Sequence, residues 1–178
     1  MQREGTRERI AQACLELLNT TSLESLRTQD LMAKAGVSRS SFYRAFPDKY
    51  EVATWIYQKQ ADIIMNELPD LRNWKEWTYA LHTYMRNHKQ FFRNIARYRG
   101  QNSFGEFLCN FFLGNIQKTR KDLIGTMTEE QKYAMYAFSL VGAQATIDWI
   151  LNDFQPNDET LIRLLEACIP ACIRFLYE

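Results

Sequence analysis

Glycine and proline are scarce in this chain, seven and four among 178 residues, and no stretch sustains a period-two alternation of apolar and polar side chains. All-β architectures need alternating strands and frequent turn residues, so they are excluded and a helical chain remains. There are only two histidines, His82 and His88. Six positions apart, they do not share a helix face as zinc ligands spaced by four would. Of the four cysteines, Cys14, Cys109, Cys168 and Cys172, the last two are placed on one face of a predicted helix. No nearby His or Cys completes a zinc site, so all four read as small hydrophobes. No glycine-rich phosphate loop and no Gly-x-Ser-x-Gly nucleophile motif occurs. Lone carboxylates such as Asp62 and Asp148 read as solvated or capping groups. Catalysis, a metal and a cofactor are therefore not expected.

Met1-Gln2-Arg3-Glu4 leads straight into a polar helix, which argues against a signal peptide, and no apolar stretch reads as long enough to span a membrane. A cytoplasmic location with reduced cysteines is expected. Charged residues make up 24% and apolar ones 46%, which is ordinary for a globular protein. The net charge is only +1. Residues 1–50 carry 8 Lys and Arg against 6 acids, and the remainder 14 against 15. That asymmetry is too small to point to nucleic acid by itself.

What is present lies at 27–49. Thr28 is read as the cap of a helix whose apolar face is Leu31, Met32 and Ala35. Gly36 stands where that helix must stop, because glycine enters the left-handed conformation at little cost. Val37 packs inward and Ser38 caps a second helix of about two turns. There Phe42 and Phe46 face the core, leaving Arg39, Ser40, Tyr43 and Arg44 on the outer surface. Two arginines and no acid on so short a helix are the layout of a DNA-binding helix-turn-helix. Pro47-Asp48-Lys49 then opens a third helix with Lys49 in its first turn. A cation there is unfavourable by about 0.3–1 kcal/mol, an objection that an arriving phosphate would remove.

The run from Ala35 to Lys49, Ala-Gly-Val-Ser-Arg-Ser-Ser-Phe-Tyr-Arg-Ala-Phe-Pro-Asp-Lys, resembles the recognition segment of the TetR/AcrR family of transcriptional regulators. The likeness extends from about Thr6 to Val52. Ser40 stands where many members have Gly and Ala45 where many have His. Those departures bear on which bases are read. The resemblance implies an all-α fold of about nine helices, with a helix-turn-helix DNA-binding domain at 1–50 and an effector-binding and dimerisation domain at 51–178. It implies a homodimer on a palindromic operator, acting as a repressor by default. Thr28, Ser41, Tyr43 and Lys49 would hold phosphates, Arg39, Ser40 and Arg44 would reach base edges, and Gln29 would do either.

The helices predicted beyond the motif run over about 48–68, 74–88, 90–99, 103–123, 128–151 and 157–178. Thr128-Glu129-Glu130-Gln131 is a capping box, and Pro69 stops the first of them. The helix from 48 to 68 is the covalent strut between the two parts. Leu161, Leu165, Cys168, Cys172 and Leu176 form one stripe on the last helix, widened by Leu164, Ile169, Ile173 and Phe175. That is more apolar surface than one neighbour covers. Val141, Gly142, Ala143 and Ala145 permit close helix approach. In the resembled family these two helices pair with their twofold mates, which marks Val141, Ala145, Leu161, Leu165, Cys168, Cys172, Ile173 and Leu176 as dimerisation residues.

Aromatic residues crowd the region from Trp74 to Trp149, mostly as core. The resemblance implies a ligand pocket among them, lined by residues such as Tyr84, His88, Phe107, Phe111, Tyr136, Gln144 and Asp148. A second likeness covers Phe138 to Ala143, Trp149 to Leu151, and Asn157-Asp158-Glu159 with Leu161. It resembles the TetR subgroup of dihydroxyacetone kinase operon activators, which implies a protein coregulator as the alternative to a small-molecule effector.

Overall fold

A computed structural model of the chain describes residues 5–178. The opening tetrapeptide, on which the reading of the leader rests, lies outside the described residues. No strand occurs among the described residues. The helices are α1 (Thr6–Leu17), α2 (Thr28–Ala35), α3 (Arg39–Ala45), α4 (Lys49–Glu67), α5 (Trp74–Asn87), α6 (Lys89–Arg97), α7 (Phe104–Thr119), α8 (Lys121–Ile124), α9 (Glu129–Leu151) and α10 (Asp158–Ala167). Short 3-10 turns occupy Leu71–Asn73 and Ala171–Leu176.

The caps follow local chemistry. Ser38, Asp48, Ser103, Thr128 and Asn157 each accept a hydrogen bond from the backbone N–H three residues on. The Thr128–Gln131 capping box is complete in both directions. Gly36 ends α2 at φ +62°, the left-handed geometry expected of it. Thr28 is different. It is the first residue inside α2, Arg27 takes the cap position without a side-chain bond, and the Arg27 guanidinium pairs with Asp30 instead.

α1, α2 and α3 pack around Ile10, Cys14, Leu31, Phe42 and Phe46, each at most 2% exposed. α4 leaves this cluster and runs into the larger core, where α7 packs along α9 and α5 lies against α4 and α10.

Three expectations about the body need correction. The helix predicted to reach residue 123 ends at Thr119, because Arg120 leaves helical geometry and donates to the Phe175 and Leu176 carbonyls. The last helix does not continue to the C-terminus. Pro170 has no N–H and disfavours helical geometry at Ile169, so α10 closes at Ala167 and the chain restarts as the 3-10 turn. Cys168 and Cys172, on opposite sides of that break, therefore do not share a helix face. Finally, α9 is long and apolar enough, by length and composition alone, to cross a membrane. Its inner face, including Met135, Ala143, Ile147 and Ile150, is buried against its neighbours.

Candidate functional site

The outer surface of α3 is built by what holds the helix from behind. At its N-terminus the Ser38 hydroxyl accepts from the Ser41 N–H at 3.1 Å and lies 3.0 and 2.9 Å from the Ser40 and Ser41 hydroxyls. At its C-terminus the Ala45 carbonyl accepts from Arg7 Nε at 3.1 Å and Nη2 at 2.9 Å, with that guanidinium over the rings of Phe46 and Trp55. Arg9 reaches the Ala35 and Gly36 carbonyls that end α2. Two cations on α1 thus sit at the negative ends of both motif helices, where the dipoles favour positive charge. Neither was read as functional in the sequence, because their carbonyl partners lie 26 or more residues away.

With its termini held and Phe42 and Phe46 buried, α3 presents Arg39, Ser40, Tyr43 and Arg44, all exposed. Arg39 lies over the Tyr43 ring at 5.4 Å. Arg44 makes no hydrogen bond or ion pair among the described residues. Gln29 is exposed on α2, while Thr28 and Ser41 are half-buried beside it. Four of the eight expected DNA residues thus share the exposed face of α3, Gln29 and Thr28 lie on α2, and Ser41 is half-buried on α3. The eighth, Lys49, is directed inward. Its ammonium donates to the Glu24 carbonyl at 2.9 Å and the Leu26 carbonyl at 2.8 Å. Burial pulls its pKa below the usual lysine value, against the opposing pull of Glu24 and Asp48. The unfavourable cation at the start of α4 is answered by carbonyls of the α1–α2 loop.

The body holds a cavity of about 110 Å³. Its walls come from α4 (Tyr57, Met65), α5 (Trp74, Trp77, His82), α7 (Phe112, Asn115), α9 (Ser139, Gly142, Thr146), Leu165 and Tyr177, among others. None of the seven residues expected to line a pocket is among its walls. Tyr84 packs on His88 and Phe92, and Phe107 and Phe111 pack on Tyr57. Tyr136, Gln144 and Asp148 lie on the exposed face of α9, with Gln144 donating to Asp148 at 2.7 Å. Helical period separates 144 and 148 from 139, 142 and 146, and the latter set faces inward.

His82, 2% exposed, is the polar landmark of the cavity. Its ring stacks on Trp149 at 4.1 Å, and its Nδ1 lies 3.0 Å from an Asp158 oxygen that also accepts from Arg86 at 2.9 Å. Burial drives its pKa down to about 4, outweighing Asp158. At neutral pH the imidazole is uncharged, Nδ1–H donates to Asp158, and Nε2 is an acceptor.

The expected dimerisation set divides. Leu161, Ile173 and Leu176 are buried within the protomer at 7%, 0% and 0% exposure, and Leu165 and Cys172 are half-buried. Ala145 is half-buried on α9. Val141 and Cys168 are exposed, and beside them lie Tyr133, Tyr136, Leu140, Leu164 and Phe175, apolar and exposed by 38–73%. Past the break at Pro170, Ile173 and Leu176 face inward while Phe175 stays exposed.

The helix-turn-helix end touches the body beyond the α4 strut. The buried Asn94 of α6 donates to the Leu18 carbonyl after α1, and Tyr98, just past α6, stacks at 4.6 Å on Tyr50 in the first turn of α4 itself.

Residues 10–54 match the bacterial regulatory proteins of the tetR family, and residues 72–170 match that family's transcriptional regulator C-terminal region. One relative is the dhaKLM operon transcriptional activator DhaS of Lactococcus lactis subsp. lactis (strain IL1403), 24% identical over 90 residues. That alignment spans 51% of this chain and 48% of the relative, about half the length of each. Among solved structures, a dihydroxyacetone kinase operon activator DhaS superposes with a TM-score of 0.63 at 19% identity, covering 92% of this chain and 96% of that one. A tetR-family regulator from Streptomyces coelicolor superposes with a TM-score of 0.54 at 14% identity, covering 99% and 90%. At such identities these likenesses carry the fold. The two family matches carry more, since the C-terminal one alone covers over half the chain: the chain belongs to the TetR family of DNA-binding transcriptional regulators and is not an enzyme.

Proposed function

We propose that the protein is a cytoplasmic homodimer that reads a palindromic operator with α3 and whose DNA affinity is set by an effector bound in the C-terminal body. In this reading residues 1–50 are the DNA-binding domain and 51–178 the effector and dimerisation domain. Arg39, Ser40 and Arg44 reach base edges; Thr28, Ser41, Tyr43 and the third N–H of Lys49 hold phosphates; Gln29 serves either role. The observation that carries the DNA assignment is the exposed, acid-free face of α3, where Arg44 has no partner among the described residues. Dimerisation is supported by the exposed apolar residues Tyr133, Tyr136, Leu140 and Val141 along α9 and by Leu164 and Phe175, also exposed, on the C-terminal elements. A symmetric pair would set two recognition helices about 34–36 Å apart, one turn of duplex. Titration of the purified protein against a randomised operator library tests the reading: binding should select a two-half-site palindrome, and sequence-independent binding would refute it.

A second reading, a TetR-like activator governed by a protein coregulator, is favoured by two observations. The relative named above is a transcriptional activator. The cavity, about 110 Å³, is well below the roughly 300–1,000 Å³ of pockets for drug-sized ligands. Metabolites that raise the melting temperature and also shift operator affinity would support the first reading. A protein that shifts operator affinity while no metabolite does would support the second.

A further inference from the structure

The cavity walls include no Lys, Arg, Asp or Glu, so nothing there compensates an ionic ligand, and burying an unpaired charge is prohibitive. Most wall hydroxyls and amides are already spent. Thr78, Asn115, Ser139 and Thr146 each donate to a carbonyl one turn back on their own helix, and the Trp77 indole N–H donates to the Leu68 carbonyl.

Two deeply buried side chains keep an unused polar atom. Tyr57 is 1% and His82 2% exposed, and neither the Tyr57 hydroxyl nor His82 Nε2 has a hydrogen-bond partner among the described residues. No side-chain polar atom among the described residues is both fully buried and unpaired. Each of these atoms therefore keeps some accessible area, and both side chains border this cavity. Burial pushes the Tyr57 hydroxyl above the usual tyrosine range, so it keeps its proton. One neutral acceptor and one hydroxyl thus border a space whose other polar groups without a hydrogen bond among the described residues are the Tyr177 hydroxyl and the Trp74 indole N–H, both on half-buried side chains.

The volume selects the size. An engineered apolar cavity of about 150 Å³ holds benzene. A space of about 110 Å³ is smaller, so it takes at most one ring, and that only as the walls move outward. Resting on the small-molecule reading above, we propose that this cavity binds a neutral, single-ring hydroxyaromatic compound of phenol size, its hydroxyl donating to His82 Nε2 and accepting from Tyr57. Because Tyr57 and Met65 belong to α4, such a ligand touches the strut that leads to the DNA-reading helices.

The test uses the full-length protein with phenol, toluene and benzoate, read by calorimetry and thermal melting. Phenol should bind and raise the melting temperature, toluene should bind at least about tenfold more weakly, and benzoate should not bind. Tyr57→Phe and His82→Leu should each weaken phenol about tenfold and leave toluene within twofold, which a purely structural role would not produce. If His82→Leu fails to fold, Tyr57→Phe, which removes a single oxygen, decides. No binding of phenol, equal affinity for toluene, or competition by benzoate overturns the proposal. Operator titrations separate it from the reading beneath it. Phenol that binds without changing operator affinity upholds the ligand class and removes the control. A metabolite of another class that binds the body and releases DNA does the reverse.

Discussion

Lys49 shows how one side chain serves two masters. Its ammonium closes the α1–α2 loop through the Glu24 and Leu26 carbonyls, and its third N–H is the one proposed for a phosphate. Hydrogen bonds to a charged donor contribute about 1.5–3 kcal/mol each. Lys49→Ala should therefore lower the melting temperature and also reduce the salt slope of operator binding by about one per subunit. Arg44 has no hydrogen bond or ion pair among the described residues, so Arg44→Ala should leave the melting temperature unchanged. It should cost about 1–3 kcal/mol per lost base contact and relax preference at one position of each half-site. Melts paired with titrations over an operator panel check both, and an unchanged melt for Lys49→Ala would refute the loop role.

His82 supplies a second prediction at this scale. Its folded pKa, about 4, lies below the 6.5 of the free side chain. The unfolded chain binds the proton that the folded chain refuses, so stability rises with pH through that window. Acidification from about pH 6.5 to 4 should thus remove on the order of 3 kcal/mol through this residue. Denaturant melts across the range should show a shallower loss in His82→Asn. Equal pH dependence in the two proteins would mean that His82 is protonated in the fold.

At the scale of elements, capping chemistry decided what was legible. Ser38, Asp48, Ser103 and Thr128 are local signals, and the helices they open begin where sequence reasoning put them. The errors lie where distant partners intervene. Arg120 ends α7 by reaching residues 55 and 56 positions away. The cavity wall is not legible in the sequence because it is drawn from six elements and Tyr177 at once, whereas Tyr84, Gln144 and Asp148 are polar groups visible each on its own helix. Pro170 was a local signal that outweighs the apolar stripe running through it. Its consequence separates two classes of variant. Ile173 is fully buried in the protomer, so Ile173→Glu strands a charge in the core and should unfold the chain. Leu164 is 50% exposed and Val141 47%, so Leu164→Glu or Val141→Glu should preserve the circular dichroism spectrum while abolishing the dimer. Sedimentation at micromolar concentration distinguishes these outcomes, and a monomeric wild type would dismiss the dimer altogether.

At the scale of the molecule, the question is what holds the DNA-reading end at a fixed attitude to the body. α4 alone is a single rod, and a rod leaves torsion free. The fold adds a tie to the first helix, Asn94 of α6 on the Leu18 carbonyl, and a brace on the rod's own first turn, where Tyr98, just past α6, stacks on Tyr50 of α4. The second depends on Gly100, where any Cβ would collide with the Tyr98 ring. In the proposed dimer two recognition helices must meet one duplex face at a set spacing, so loosening the ties would lower the fraction of competent dimers. Apparent affinity then falls by that same fraction. Tyr98→Ala should weaken operator binding by roughly threefold to tenfold, and Gly100→Ala should act in the same direction by displacing the ring. No phosphate or base contact is lost, so the salt slope and the preferred operator sequence should both be those of the wild type. Titrations at three salt concentrations test this directly. A changed slope would place Tyr98 at the DNA, and unchanged affinity would leave α4 as the sole connection that matters.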